Sequence, residues 1–226
     1  APFIFRDFDH WKKYAESPLF RELSAGYQKA SGGNTVVAIT YYGNRQTTAN
    51  KALNRPEDMK GLKIRVPDAP LYTLFPRAVG ANPTPIAFAE VYLALQNGTV
   101  EAQENPLPTI DAKKFYEVQS HINLTAHITD ALLTIMGGPF WSKLSEADRR
   151  IFEAVYKEAA LRATGEIIDI EGRLAGEFAK RGKTVVKVDR RPFIEAVQKY
   201  YQSGKLPDGS ALPWPRDVYD RLQALK

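Results

Sequence analysis

The segment Thr35 to Tyr42 (TVVAITYY) is dominated by β-branched and aromatic residues and follows the turn signal Ser31-Gly32-Gly33-Asn34. It predicts a largely buried strand, ended at Gly43-Asn44-Arg45. Leu62 to Val66 alternates apolar Leu62, Ile64 and Val66 with Lys63 and Arg65, the period of a strand with one charged face. Pro70 to Val79 predicts a helix stopped by Gly80, and Asn82 to Ile86 must be extended because residues before proline avoid the helical region. A helix from Phe88 to Gln96 stops at Asn97-Gly98, and a short strand runs from Thr99 to Glu104. Asp111 to Val118 reads as helix, and Ile128 to Met136 as a long buried strand closed by Gly137-Gly138-Pro139.

From Ser145 to about Arg181 the apolar positions keep helical spacing, through Phe152, Val155, Tyr156, Ile167, Ile170, Leu174 and Phe178. Ser145 with Asp148 three residues on is a capping-box start. Such a helix is roughly 55 Å long at about 1.5 Å per residue, enough to run between two lobes. Gly165, Gly172 and Gly176 mark a bend or close packing within it. Thr184 to Val188 is a further strand, Pro192 to Gln202 a helix, and a turn-rich arm leads to a last short helix. This alternation predicts an α/β protein with mainly parallel sheets. Ligands of such sheets sit beyond the carboxyl ends of strands, and Arg45 and Asn105 are placed just past strand ends, with Arg65 near one.

Composition narrows the function. At 44% hydrophobic and 25% charged, the chain has the balance of an ordinary globular protein, and no apolar run reaches the length of a spanning helix. Lys and Arg exceed Asp and Glu by 31 − 26 = 5; the interleaved signs favour small anions over nucleic acid. The absence of cysteine excludes disulfides, zinc fingers and thiol chemistry. His10, His121 and His127 have no metal-ligand spacing, so no metal and no cofactor is expected. No GxSxG elbow occurs. The stretch Gly176 to Thr184 imitates a phosphate loop, but it carries five residues between its glycines and leaves a helix for a strand, the reverse of the working order. The opening Ala1-Pro2-Phe3-Ile4-Phe5 lacks the charged front of a signal peptide.

An arginine at a strand end is ordinarily a solvated charge. Here Arg65 is embedded between Ile64 and Val66, and Asn105 follows Gln103-Glu104 directly before Pro106. If these strand ends converge, two guanidinium forks and one amide face a single anion, which suits a carboxylate.

Those residues carry a resemblance. Arg45-Gln46-Thr47-Thr48, Pro56 to Pro67 (PEDMKGLKIRVP), Gly80 to Gln96 (GANPTPIAFAEVYLALQ), Gln103-Glu104-Asn105-Pro106 and Lys114 to Val118 (KFYEV) together resemble the extracytoplasmic solute receptors of tripartite ATP-independent periplasmic (TRAP) transporters. The separations, 65 − 45 = 20 and 105 − 65 = 40, are those of the family's sialic-acid receptors.

The resemblance implies a two-lobed α/β periplasmic-binding-protein fold with lobe-crossing strands at Thr35 to Tyr42 and Ile128 to Met136, a long connecting helix, and closure over an organic acid. Residues 1–42 and 131–170 then belong to the N-terminal lobe, and 43–130 and 171–226 to the C-terminal lobe. Phe3-Ile4-Phe5-Arg6-Asp7 resembles a segment well inside a family member, so the first lobe is expected to be incomplete.

By motif position Arg65 forms the main bidentate salt bridge, Arg45 and Asn105 assist, and Ala69 and Phe88 line the pocket. The expected function is capture of a sugar acid such as a uronate, sialic acid or aldonate, and delivery to the TRAP membrane permease by a periplasmic monomer. A receptor for C4-dicarboxylates is the alternative. An enzyme acting on sugar acids is the other class, and it would need Glu104 or Asp68 as base.

Overall fold

A computed structural model describes residues 1–226. The chain divides into two compact units. One comprises Ala1–Ile4, Gly43–Thr129 and Ile170–Trp214, and the other Phe5–Tyr42, Asp130–Asp169 and Pro215–Lys226.

In chain order the elements are α1 (Phe8–Glu16), α2 (Pro18–Ala30), β1 (Thr35–Ala49), β2 (Lys63–Val66), α3 (Pro70–Ala78), β3 (Asn82–Pro85), α4 (Val91–Gln96), β4 (Ala102–Pro106), α5 (Leu107–Ala112), β5 (His121–Met136), α6 (Gly138–Trp141), α7 (Glu146–Lys180), β6 (Thr184–Lys187), α8 (Arg191–Ser203) and α9 (Arg216–Gln223). The segments β1, β5 and α7 each contribute residues to both units.

The first unit is built on a sheet of order β3-β2-β4-β1-β5-β6. Strand β2 is parallel to β3 and β4, and β5 to β6, but β1 and β4 are antiparallel. Parallel pairings thus predominate, as the alternation of strands and helices predicts, and β1–β4 adds an antiparallel one. Helices α3 and α4 supply the crossovers that parallel neighbours need, whereas the link from β1 to β2 holds only the single turn Pro56–Met59, so the chain reverses there. Behind the sheet Val91, Leu95, Ile110, Phe115, Ile122 and Phe178 form a buried apolar cluster.

Two strands differ from the hydrophobic pattern in an instructive way. Strand β1 does not stop at Gly43-Asn44-Arg45 but runs to Ala49, and Arg45 to Ala49 are all buried. Likewise β4 ends at Pro106, so Arg45 and Asn105 lie within strands and not past their ends. Gly43 makes the continuation possible. Its φ is +118°, and a Cβ there would lie 2.8 Å from both Glu171 Oε1 and Pro106 Cβ. Gly43→Ala is expected to cost about 1–3 kcal/mol, lowering the melting temperature by several degrees; an unchanged melting curve would contradict this reading of the turn.

Helix Asp111 to Val118 is also corrected. The helix is α5, ending at Ala112, and Lys114 at φ +55° leads into a separate 3₁₀ turn, Phe115–Glu117. The long helix forms as expected, with Asp148 N–H donating to Ser145 Oγ at 3.1 Å. A Cβ at Gly165, Gly172 or Gly176 would meet nothing within 4 Å, so none of them is a close-packing site.

In the second unit Trp11 stacks on Phe8 and meets Tyr41 edge-on. Helices α1 and α2 start at Asp7 and Ser17, whose side chains accept from the N–H groups of His10 and Phe20. The run Ile128 to Met136 is strand but not buried throughout: Leu132, Leu133 and Ile135 are about half exposed. Apolar side chains put a strand inside only where another element covers them.

The ends fall differently from the expected lobes. Ala1–Ile4 belong to the first unit, where Phe3 N–H donates to His127 O and Tyr201 Oη to Pro2 O. Pro215–Lys226 belong to the second, where Arg221 pairs with Glu22 at 2.5 Å.

Candidate functional site

The central strands β1 and β4 carry a polar sequence into the middle of a sheet. Register places Gln46 opposite Asn105, Thr47 opposite Glu104, and Thr48 opposite Gln103, while Arg65 on β2 pairs with Gln103. Buried polar groups must be hydrogen-bonded, and these form a connected chain. Arg45 Nη2 donates to Asn105 Oδ1 at 3.2 Å, Asn105 Nδ2 to Gln103 Oε1 at 2.7 Å, Gln103 Nε2 to Thr48 Oγ1 at 3.0 Å, and Thr48 Oγ1 to Gln119 Oε1 at 3.2 Å.

Arg45 is an ion-paired residue. Its Nε donates to Glu104 Oε2, and its Nη2 to Glu104 Oε1 and to the Glu104 carbonyl, both at 2.8 Å. Arg45 is 4% exposed and Glu104 1%. Tyr72 lies under the guanidinium at 4.9 Å. On the other side of Glu104, His127 Nε2 is 3.1 Å from Oε2, its Nδ1 is 2.8 Å from Thr125 Oγ1, and its ring stacks on Phe75 at 4.2 Å. A neutral ring satisfies both contacts if Nε2–H donates to the carboxylate and Nδ1 accepts from the hydroxyl.

Burial alone would raise the Glu104 carboxyl, but the charge of Arg45 and the hydrogen bonds from His127 and Arg45 outweigh it and hold the group below its ordinary value. Glu104 is thus ionised, with its oxygens engaged by Arg45 and His127. Its stabilising effect is complete above the ordinary carboxyl value, 4.5, and is lost as pH falls below it through the folded-state value. Urea midpoints measured between pH 6 and pH 3 should therefore fall more steeply for the wild type than for Glu104→Gln; parallel curves would contradict this.

Arg65 is handled differently. It is 3% exposed, and its Nε and Nη2 both donate to the carbonyl of Ile86, at 2.9 and 2.7 Å. No carboxylate lies within ion-pair distance. Burial pulls its guanidinium below the ordinary value, with Glu104 opposing and Arg45 adding to the effect; an arginine nonetheless stays charged. Of its five N–H groups, those two bonds anchor one side of the fork and leave the Nη1/Nη2 edge.

The five residues singled out in the sequence all fall in the first unit. Arg45 and Asn105 touch, and Arg65 lies next to them across Gln103. Phe88, 41% exposed, carries the Arg65 guanidinium 5.7 Å from its ring centre and so is not a core residue. Ala69 is half-buried at the N-terminus of α3, just beyond the Pro67-Asp68 link from β2. Thr125 and Tyr72 were not singled out, and His127 was considered only as a metal ligand. The alternation of Thr125 and His127 is visible in the sequence, but nothing there says that β5 lies beside β1.

A concavity of about 600 Å³ in the second unit, lined mainly by Phe8, Trp11, Phe20, Val37, Ile39 and Leu161, contains none of these residues. No group of acidic, histidine or cysteine side chains is arranged to hold a metal ion.

Residues 1–205 match the sequence profile of the bacterial extracellular solute-binding protein family 7, DctP. The chain belongs to that family. It is 39% identical over 202 residues to the sialic acid-binding periplasmic protein SiaP of Vibrio cholerae, covering 89% of this chain and 62% of SiaP. It is 31% identical to the 2,3-diketo-L-gulonate-binding periplasmic protein YiaO of Escherichia coli, covering 87% and 60%. The chain thus spans about three fifths of the length of these relatives.

Among solved structures, a TRAP periplasmic solute binding protein of Roseobacter denitrificans with bound 3-deoxy-D-manno-oct-2-ulosonic acid aligns over 100% of this chain and 74% of its own, with TM-score 0.91 and 27% identity. One from Polaromonas bound to D-erythronate aligns over 100% and 72%, with TM-score 0.87 and 34% identity. Each of these proteins is named as a solute-binding or sugar-acid-binding protein.

Proposed function

We propose that this chain is the periplasmic receptor of a TRAP transporter, binding a sugar acid through its carboxylate and delivering it to the membrane permease. The observation that carries the reading is Arg65: a cation almost fully buried, anchored on a neutral carbonyl, with no carboxylate within ion-pair distance. An uncompensated buried charge costs several kcal/mol, and an anion that arrives at its fork offsets that cost with charge-assisted hydrogen bonds.

Arg65 is the main carboxylate ligand in this reading. Asn105 offers its second N–H, Arg45 holds Asn105 in place, and Phe88 and Ala69 bound the solute beside the fork. The named acids of the relatives, sialic acid, diketogulonate, the octulosonic acid and erythronate, all carry a carboxylate on a polyhydroxylated chain. No helix is long and apolar enough to cross a membrane.

Thermal-shift screening of the full-length protein against uronates, aldonates, sialic acids and C4-dicarboxylates tests this. A ligand at 100 times its Kd contributes about 2.7 kcal/mol, so a true solute should raise the melting temperature by several degrees. A panel without any shift would refute the assignment.

A further inference from the structure

We propose that Glu104 cancels the charge of Arg45 within the folded chain, so that the site presents one net positive charge, that of Arg65, and selects singly charged sugar acids over acids with two carboxylates. This rests on the receptor reading above and deepens it, since two arginines taken alone would suit a dianion equally well.

The geometry sets the count. Glu104 meets Arg45 through both carboxylate oxygens and its own carbonyl, and both side chains are almost fully buried, so the pair is neutral and shielded from counter-ions. Arg65 has only the neutral Ile86 carbonyl. His127 contacts Glu104 and Thr125 in a geometry that a neutral ring satisfies. Lys113, with its ammonium 5.5 Å from the Phe88 ring, is exposed, where salt screens it. A second carboxylate on the solute would be desolvated without a cation to receive it, which costs affinity.

The test uses matched acids, D-gluconate against D-glucarate and D-erythronate against meso-tartrate, which share carbon number and differ in having one or two carboxylates. Calorimetry is run on the full-length protein at pH 8. Wild type is expected to prefer the monoacid by about tenfold or more. Glu104→Gln, which leaves two uncompensated guanidinium groups, should cut that preference by about tenfold. The double variant Arg45→Met/Glu104→Gln, which returns the count to one, should restore it, and it keeps the test open should the single variant fail to fold.

A merely structural role for Glu104 would weaken both acids equally and leave the ratio unchanged. An unchanged ratio in Glu104→Gln, or a wild type indifferent to the second carboxylate, overturns the inference while the receptor reading stands. Failure of all four acids together with a blank thermal-shift panel overturns the receptor reading itself.

Discussion

Arg65→Ala should weaken binding of the acid by roughly 10²- to 10⁴-fold. Two charge-assisted hydrogen bonds from its fork are each worth about 1.5–3 kcal/mol, and about 1.4 kcal/mol is tenfold in affinity. Arg65→Lys keeps the charge but not the planar pair of donors, so it should recover only part of the loss. The same substitution should leave the melting temperature of the ligand-free protein unchanged or slightly raised, because it removes a buried cation that has no acid partner. Calorimetry and thermal melts on the same samples read both quantities. Affinity within threefold of wild type would remove Arg65 from the site.

The opposite balance is expected at Glu104. Glu104→Ala leaves Arg45 buried with its charge exposed to no counter-ion and takes a partner from His127. Breaking a buried pair from one side costs about 3–5 kcal/mol, which for a chain of this size lowers the melting temperature by roughly 6–20 °C. Substituting apolar residues for both partners should recover most of that loss, since it is the stranded charge that is costly. A Glu104→Ala protein that melts with wild type would show that the pair is not formed in solution.

The two residues thus separate binding from stability. On the proposed reading Arg65 serves the ligand at some cost to the empty fold, while Arg45 and Glu104 satisfy each other and hold Asn105.

Much of this fold is legible in residue order because hydrophobic periodicity reports burial against an apolar partner. Helices α3, α4, α7 and α8 and strands β2 and β6 lie within a few residues of where the pattern puts them. The pattern fails where burial is polar. Arg45 reads as lying just past a strand end, yet Arg45-Gln46-Thr47-Thr48 is buried within a six-stranded sheet, held by bonds to Gln103, Glu104, Asn105, Gln119 and Thr125. These partners come from other strands, and no local rule reveals them.

It fails again at Leu132, Leu133 and Ile135, whose apolar character does not bring a covering element with it. The candidate site residues stand out in the sequence through the ordered motifs around Arg45, Arg65 and Asn105. The contrast between the two arginines was not, because it depends on Glu104 reaching one of them and the Ile86 carbonyl reaching the other.

A structure of the full-length protein with its tightest-binding acid from the screen tests the assignment most directly. A carboxylate seated on Nη1 and Nη2 of Arg65 at about 2.7–2.9 Å, with the Arg45–Glu104 pair still closed, is the predicted result. A carboxylate bound elsewhere, with Arg65 still held only by Ile86, would contradict it.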